Sequence, residues 1–352
     1  MHCILPRQTI ALGGAGRRTI KSIMVVSFGE IMCRLSTPDY KRFTQTESFD
    51  VNYGGAEANV SVSLSNLGVN ATHVGVLPDN DLGLAAIKMM RKEGVDVSHL
   101  LQREGRMGLY FLETGAMQRA PRIVYDRSDS AFANLNPKDF DWKSILKDAK
   151  WFHWTGITPA ISQAAADALH DALTVAQELG VKVSGDINYR RNLWQYGKDV
   201  LDVMPALIAK TNLVIAGTTD FENCMGIKAE TVEEAAKIAQ EKNPSIEMVS
   251  TSYRNSISAS HNRLTAMLWD GETTYTSREY DITHIVDRIG GGDSLMAGLL
   301  YGLLHFEDKQ TVVEFATAAS VLKHSLPGDA NLVTVSEVMQ LVENKHVGKL
   351  LR

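Results

Sequence analysis

The residues best placed to do chemistry are an acid and the three glycines before it. The glycines, Gly290 to Gly292, end at Asp293, and an apolar run of helical length follows from Leu295 to Leu304. Glycines at a helix N-terminus leave backbone N–H groups uncovered, and the helix dipole adds partial positive charge, so the stretch is a ready anion site. A carboxylate beside a phosphate cradle can accept the proton of an attacking hydroxyl. The pattern predicts Asp293 as that base.

Read alone, the same stretch also fits a plain glycine turn that Asp293 caps. It is neither a Walker A loop, which needs a Gly-Lys-Ser/Thr ending, nor a Gly-x-Gly-x-x-Gly dinucleotide fingerprint near the first strand. A dehydrogenase interpretation therefore fails, and the choice between turn and site depends on a second motif.

The second motif lies far upstream, where two glycines enter another helix. Gly54 and Gly55 precede an apolar helix predicted over Val60 to Leu67, with Glu57 and Asn59 in between. Glycines let the backbone approach a ligand closely. A tight turn explains the glycines but neither Glu57 nor Asn59, so the motif favours a binding site.

Tyrosines and arginines mark two further segments. Residues 105–127 are predicted as strands that carry Tyr110, Tyr125 and Arg127. Tyr125 and Arg127 are two positions apart and share a strand face. A bidentate arginine with tyrosine hydroxyls suits a carboxylate or polyol ligand; an exposed charged strand face is the alternative. The segment Asp186 to Arg190 follows a buried strand, at the end where open α/β sheets place ligands.

Composition excludes several classes of protein. The chain has 352 residues, 44% hydrophobic and 22% charged, which is an ordinary globular balance for one large α/β domain or two domains. Its net charge of −5 argues against a nucleic-acid or anionic-membrane partner. The three cysteines are widely scattered, which fits a reducing cytoplasm rather than a disulfide framework. No apolar run approaches the ~20 residues of a transmembrane helix.

Short buried strands alternate with helices from Met24 onward, which predicts an α/β domain over residues 24–345. The predicted buried strands are Met24–Phe28, Thr72–Leu77, Trp151–Trp154, Val181–Ser184, Asn212–Ala216 and Glu247–Thr251. The most periodic helix is predicted over Gln163 to Leu179, ending at Gly180. Residues 1–23 contain no acid and do not share this pattern. We therefore predict that they are a flexible extension or lie upstream of the natural start at Met24.

With both glycine motifs placed, the chain resembles the ribokinase-like (PfkB) family of carbohydrate kinases from Met24 to about Glu343. The matching motifs are Gly54-Gly55-Ala56-Glu57-Ala58-Asn59, Gly108-Leu109-Tyr110-Phe111, Tyr125-Asp126-Arg127, Thr155 to Pro159, Asp186 to Arg190, and Asp287-x-x-Gly-x-Gly-Asp. Within the family the pattern is most similar to kinases of 2-keto-3-deoxygluconate. The resemblance implies a doubly wound, mostly parallel sheet and a small β-sheet lid built from about residues 31–53 and 105–127.

The resemblance also implies ATP-dependent phosphorylation of the sugar acid's terminal hydroxyl to the 6-phosphate, with Mg²⁺ bridging the phosphates. In that reaction Asp293 would take the hydroxyl proton. The transferring phosphoryl charge would be held by the backbone of Gly290, Gly291 and Gly292. The substrate would be bound by Gly54, Gly55, Asn59, Tyr110, Tyr125, Arg127 and Arg190. The nucleotide would be bordered by Asn188, Thr251, Arg254 and the segment from Lys323 to Asn331.

The chain departs from the family at one place. Similar kinases carry an asparagine after the strand that ends here at Ile215-Ala216, whereas this chain has Gly217. The metal ligands are therefore left open, with Asp220 as an indirect candidate. A kinase of another sugar, such as fructose, ribose or another keto-deoxy acid, stays an alternative, as does a non-catalytic sugar-binding homologue. Open lid edges further suggest a homodimer formed through the lid.

Overall fold

The computed structural model of the protein describes residues 24–344, which form two β-sheets and the helices around them. The strands are β1 (Met24–Phe28), β2 (Met32–Ser36), β3 (Asp50–Gly54), β4 (Asn70–Pro78), β5 (Leu100–Arg103), β6 (Leu109–Glu113), β7 (Arg122–Asp126), β8 (Trp151–Thr155), β9 (Lys182–Asp186), β10 (Leu213–Ile215), β11 (Met248–Ser258), β12 (His261–Trp269), β13 (Thr274–Thr276) and β14 (Tyr280–Ile282).

Helices α1 to α8 lie between these strands in the chain, and α9 to α11 follow the last strand. They are α1 (Ala56–Asn66), α2 (Asp81–Lys92), α3 (Trp142–Leu146), α4 (Thr158–Ile161), α5 (Gln163–Leu179), α6 (Val200–Ile208), α7 (Thr218–Met225), α8 (Val232–Lys242), α9 (Gly291–His305), α10 (Lys309–Lys323) and α11 (Val335–Val342).

The large sheet is mostly parallel. Its strand order is β13-β12-β11-β10-β9-β8-β1-β4-β5, with β14 pairing to β12. All neighbours from β11 to β5 run parallel, and β12, β13 and β14 pair antiparallel at one end. The predicted strand Glu247–Thr251 is longer than expected, because β11 continues to Ser258 through antiparallel pairing with β12.

Helices cover both faces of this sheet, which confirms the doubly wound fold. On one face, Leu295 and Leu299 of α9 pack with residues of α1 and α10 against strand side chains such as Val25. On the other face, the apolar side of α5 packs with α3 and α6 to α8 against strand side chains such as Phe152. Two hydrophobic cores separated by one sheet require strands buried on both sides, which explains their continuous apolar sequences.

Helix boundaries follow from local chemistry. Helix α5 has the predicted bounds because the Ser162 side chain caps its start and Gly180, at φ 68°, ends it in the left-handed region. Helix α1 begins earlier than predicted, at Ala56 rather than Val60, with Gly55 as its N-cap. Asn59 is therefore the fourth residue of α1, about one turn into the helix.

The small sheet is the predicted lid, with strand order β3-β2-β6-β7. Its strands come from the two predicted segments, 31–53 and 105–127, with β3 ending one residue later at Gly54. Strands β2 and β6 are parallel, while β3 and β7 pair antiparallel at the two edges.

The predictions for residues 1–23 and for residue 345 lie outside the described residues. Within residues 24–344, no helix has the length and apolar character that a membrane span requires.

Candidate active site

A cavity of about 530 Å³ lies between the lid and the carboxyl ends of the parallel strands. Its walls come from the starts of α1 and α9, from the ends of β9 and β10, from β11 and from the lid. This is the edge of an open α/β sheet where ligands bind. Among the residues that the sequence singled out, those that line it are Gly55, Asn59, Tyr110, Tyr125, Asn188, Arg190, Asp220, Thr251, Arg254, Gly290, Gly291, Gly292 and Asp293.

The glycine turn before α9 has the geometry of an anion site. Gly290 is the N-cap of α9 at φ 78°, in the left-handed region that favours glycine. A Cβ there would lie 2.9 Å from the carbonyl carbon of Asp329, whereas a Cβ on Gly292 would meet no atom within 4 Å. The first N–H groups of a helix have no intrahelical acceptor, so the start of α9 presents free donors to the cavity beside Gly292.

Asp293 sits at this terminus and is held by the second glycine motif. The Asn59 side chain donates a hydrogen bond from Nδ2 to Asp293 Oδ2 at 2.7 Å. Burial raises the pKa of Asp293 to about 7; the Asn59 hydrogen bond lowers it, and nearby Glu57 and Asp329 raise it. A carboxyl that titrates near neutrality, aimed at an anion site, is suited to general-base work.

Asp186 is a second acid in the cavity; its segment was predicted at the ligand edge of the sheet, without a role for this residue. It is the last residue of β9, and burial, with Asp293 and Asp220 nearby, raises its pKa to about 8. Asn188 follows at φ 40°, an unusual backbone conformation for a residue other than glycine. The signal was present in the sequence, because Asp186 stands two residues after a predicted buried strand.

Asp220 is bound to the protein backbone. Its Oδ2 accepts a hydrogen bond from Gly217 N at 2.8 Å, and its Oδ1 accepts one from Tyr189 N at 3.3 Å. Gly217, where the chain departs from the family, is thus the N-cap residue of α7, and the Asp220 side chain caps the start of that helix. Within residues 24–344, no three His, Cys, Asp or Glu side chains form a group suited to hold a metal ion.

Glu57, which a simple turn did not explain, anchors the start of α1. It is 2% exposed, and its Oε1 accepts hydrogen bonds from Thr155 N at 3.0 Å, Thr155 Oγ1 at 2.8 Å and Thr158 Oγ1 at 2.7 Å. Because Thr155 ends β8 and Thr158 begins α4, Glu57 fixes α1 to the sheet edge. The contact therefore orients Asn59 toward Asp293.

The two arginines predicted to bind substrate lie in different environments. Arg127 is 9% exposed, forms an ion pair with buried Glu30, and lies outside the lining of the main cavity. Arg190 is exposed and lines the main cavity and also a neighbouring cavity of about 430 Å³ that Arg127 borders. Tyr125, 54% exposed on the lid, lines both cavities.

A buried charge cluster, most of which the sequence did not predict, joins the lid to the glycine turn. Arg34 of β2 donates to Asp329 Oδ1 at 2.5 Å and to Asp287 Oδ2 at 2.6 Å. Tyr110 donates its hydroxyl to Asp329 Oδ2. Gly54 does not line the cavity; a Cβ there would lie 2.8 Å from Asp329 Cβ, so this glycine makes room for the cluster.

Asn331 does not reach the cavity, although the sequence placed it beside the nucleotide. It is 2% exposed, and its Nδ2 donates to Ser294 Oγ at 2.7 Å and to the Ala319 carbonyl oxygen at 2.9 Å. Its side chain holds α9, α10 and the loop before α11 together. Thr251 and Arg254, by contrast, line the cavity from β11.

Comparison with known proteins gives consistent findings. Residues 22–334 match the pfkB family of carbohydrate kinases. A 2-dehydro-3-deoxygalactonokinase of Haloferax volcanii is 30% identical over 92% of this chain and 98% of that protein. A 5-dehydro-2-deoxygluconokinase of Shouchella clausii is 29% identical over 93% and 98%. The crystal structure of 2-dehydro-3-deoxygluconokinase from Thermotoga maritima has a TM-score of 0.88 at 43% identity, over 92% and 98% of the two chains.

A doubly wound sheet, a β lid and a glycine turn that ends at an aspartate define a ribokinase-like sugar kinase. The chain belongs to the pfkB family of carbohydrate kinases. It is therefore an enzyme that acts on a small-molecule sugar.

Proposed function

We propose that the protein phosphorylates 2-keto-3-deoxygluconate at its terminal hydroxyl, with ATP as the phosphoryl donor, giving the 6-phosphate. The observation that carries this proposal is the Asn59–Asp293 hydrogen bond of 2.7 Å beside the glycine turn, in a cavity that Arg190 also lines. The relatives in Haloferax volcanii, Shouchella clausii and Thermotoga maritima are all named as kinases of dehydro-deoxy sugar acids, which supports an acid as the substrate. Because ATP is an intracellular phosphoryl donor, we place the reaction in the cytoplasm.

The chain's own groups have separate roles in phosphoryl transfer. Asp293 accepts the proton of the sugar's terminal hydroxyl as its oxygen attacks the phosphorus of the γ-phosphoryl group. The hydroxyl oxygen forms a bond to phosphorus, the bond to the β-phosphate oxygen breaks, and ADP leaves. The N–H groups of Gly291, Gly292 and Asp293 stabilise charge on the transferring group.

We assign the nucleotide and its metal to this cavity. The open space over Gly292 leaves room for phosphate oxygens, and Asn188, Thr251 and Arg254 line the nucleotide side. Mg²⁺ with ATP neutralises phosphate charge during transfer. Since the described residues provide no ligand group of three, the protein would hold Mg²⁺ through the phosphates and water, with Asp186 and Asp220 among the acids that line the cavity.

The carboxylate of the substrate is assigned to Arg190 and to the lid tyrosines. Arg190 is exposed at the cavity rim; its Nη1 donates to the Tyr189 carbonyl oxygen at 3.1 Å, and the rest of its guanidinium can pair with a carboxylate. Arg127 is already paired with Glu30 and supports the neighbouring wall. A neutral sugar leaves Arg190 without a partner and should bind more weakly.

The rival substrates are epimers and isomers of the same class. The Haloferax volcanii relative is named for the galacto compound and the Shouchella clausii relative for 5-dehydro-2-deoxygluconate. Discrimination among these acids depends on hydroxyl positions, which the cavity residues Asn59 and Tyr125 face.

The test is ADP release with Mg-ATP and a panel of 2-keto-3-deoxygluconate, its galacto epimer, 5-dehydro-2-deoxygluconate, fructose and ribose. Turnover highest on the first compound supports the proposal, while faster turnover on a neutral sugar would falsify it. The control is Asp293→Asn, which keeps the shape of the side chain and removes its basicity. We expect it to lower kcat by about 10²-fold or more. A folded protein silent on the whole panel would instead favour the non-catalytic interpretation.

A further inference from the structure

Lys323 is a buried cation directly behind the glycine turn. It is the last residue of α10, and its side chain is 0% exposed. Among residues 24–344 its ammonium makes one hydrogen bond, from Nζ to the Leu326 carbonyl oxygen at 3.2 Å, and no ion pair within 4.0 Å. An ammonium has three donors, and removing it from water costs several kcal/mol. Such a poorly compensated charge calls for a reason other than stability.

The position of Lys323 relates it to the reacting groups. Its Cε lies 3.5 Å from the place that a Cβ would occupy on Gly290, so the stem packs against the turn itself. The turn begins at Asp287, whose Oδ1 accepts from Ile289 N at 3.0 Å. Lys323 therefore lies beneath the donors that face the cavity.

Charge balance around the turn depends on Lys323. Asp287 and Asp329 are both buried and both pair with Arg34, which supplies one positive charge for two negative ones. Lys323 supplies the second positive charge: burial lowers its pKa, and the Asp287 and Asp329 carboxylates oppose that shift and favour its ammonium form. Without it, a net negative charge would remain buried behind a site built for phosphate.

The charges around the turn also act on the carboxyl of Asp293. The groups that act on it are Asn59, which donates to it, the carboxyls of Glu57 and Asp329, and the ammonium of Lys323. Asp186 across the cavity is a further carboxyl coupled to it. The carboxyls of Glu57 and Asp329 thus oppose its ionised form, whereas the amide and the ammonium favour it.

We propose that Lys323 is a positioning residue that acts through Asp293: its buried ammonium keeps the base ionised and holds positive charge behind the glycine turn. Only the kinetic consequence of this inference rests on the proposed function. The ionisation of Asp293 itself can be measured without any substrate.

The informative change is Lys323→Gln, which removes the charge but can still donate to the Leu326 carbonyl. Loss of a nearby opposite charge raises the pKa of a carboxyl, here by about one unit. The acid limb of kcat/KM for the sugar acid then moves up by about one pH unit. With the wild-type limb near 7, this gives about a tenfold loss at pH 6 and almost none at pH 9.

The matched control is Ser320→Ala, one turn earlier on the same helix. Ser320 donates from Oγ to the Gly291 carbonyl oxygen at 2.8 Å, so its loss disturbs the same turn without changing charge. We expect the titration of Asp293 to stay in place in this variant. A purely structural role for Lys323 predicts equal titrations in both variants.

The direct measurement is a ¹³C NMR titration of the aspartate carboxyls in the protein without substrate, with the Asp293 signal identified by its loss in Asp293→Asn. An upward shift in Lys323→Gln and none in Ser320→Ala support the proposal; an unmoved Asp293 signal overturns it. If Lys323→Gln alone does not fold, the variant Asp329→Asn is compared with the double variant Asp329→Asn/Lys323→Gln. These two proteins also differ only at residue 323, so the same shift of the Asp293 signal is expected between them. Lack of turnover on every sugar acid would count against the proposed function and leave this titration decisive.

Discussion

At the scale of single residues, Arg127 and Arg190 show that residue type alone does not decide a role. Both are arginines near lid or strand-end tyrosines, and the sequence assigned both to the substrate. The structure pairs Arg127 with Glu30, 97 residues earlier in the chain, and leaves Arg190 exposed at the cavity rim. Partners this far apart in sequence carry no local signal, so the pairing became visible only in three dimensions.

This difference predicts two distinct phenotypes. Arg190→Leu should raise KM for the sugar acid about 10- to 100-fold, the value of a lost charge-assisted hydrogen-bonded pair, with little change in melting temperature. Arg127→Leu should destabilise the fold by about 3–5 kcal/mol, because it leaves Glu30 buried without its cation. Steady-state kinetics and thermal melts of both variants check this. An unchanged KM in Arg190→Leu would remove Arg190 from carboxylate binding.

At the scale of elements, the start of α9 depends on one glycine far more than on its neighbour. Gly290→Ala forces a side chain into the left-handed region at φ 78° and into the Asp329 carbonyl group. We expect a loss of at least about 2 kcal/mol in the free energy of unfolding. Gly292→Ala meets no atom within 4 Å and replaces a helical glycine, so stability should stay equal or rise by about 0.5–1 kcal/mol. Urea denaturation of the pair gives the comparison; equal losses would contradict this account of the turn.

Elements were more predictable than the contacts between them. The bounds of α5, the lid segments and the strand β1 follow from periodicity and turn residues within each segment. The start of α1 was placed too late, because a glycine N-cap gives no side-chain signal. Asp293 and Asn59 were predictable, since each belongs to a glycine motif. Arg34 was not, because its two acids lie 253 and 295 residues away.

At the scale of the whole molecule, the lid edges are open in a single chain. The edge strand β7 is exposed along its length, and Val124 on it is 53% exposed; Val51 on β3 is 55% exposed. Such edges readily pair with another chain. We propose a homodimer formed through the lids.

Light scattering at micromolar concentration should therefore give twice the chain mass of 38.7 kDa. Val124→Lys, which places a charge on the outer lid strand, should shift the mass toward one chain while leaving the melting temperature nearly unchanged. A single-chain mass for the unmodified protein would refute the lid dimer.

The central sheet also carries a polar row through the hydrophobic cores. Ser184, His153, Ser27 and His73 lie in register on the adjacent strands β9, β8, β1 and β4. Ser27 Oγ and His73 Nδ1 are 2.7 Å apart, and His153 Nδ1 and Ser184 Oγ are 3.1 Å apart. Burial lowers the pKa of His73 to about 4 and that of His153 to about 3. Both imidazoles are therefore neutral in the folded protein at neutral pH.

This row makes folding stability depend on pH with a definite sign. Between pH 6.5 and about 4 the unfolded chain binds a proton on His73 that the folded chain does not, so stability falls as pH falls, by about 1.4 kcal/mol per pH unit. His73→Gln has no such proton. The loss in free energy of unfolding that His73→Gln causes should therefore be about 2 kcal/mol smaller at pH 5 than at pH 7.5. Urea denaturation at both pH values measures this difference, with His170→Gln on the exposed face of α5 as the control whose cost should not vary. A His73→Gln cost that is the same at both pH values would mean that His73 takes up its proton equally in the folded and unfolded chains.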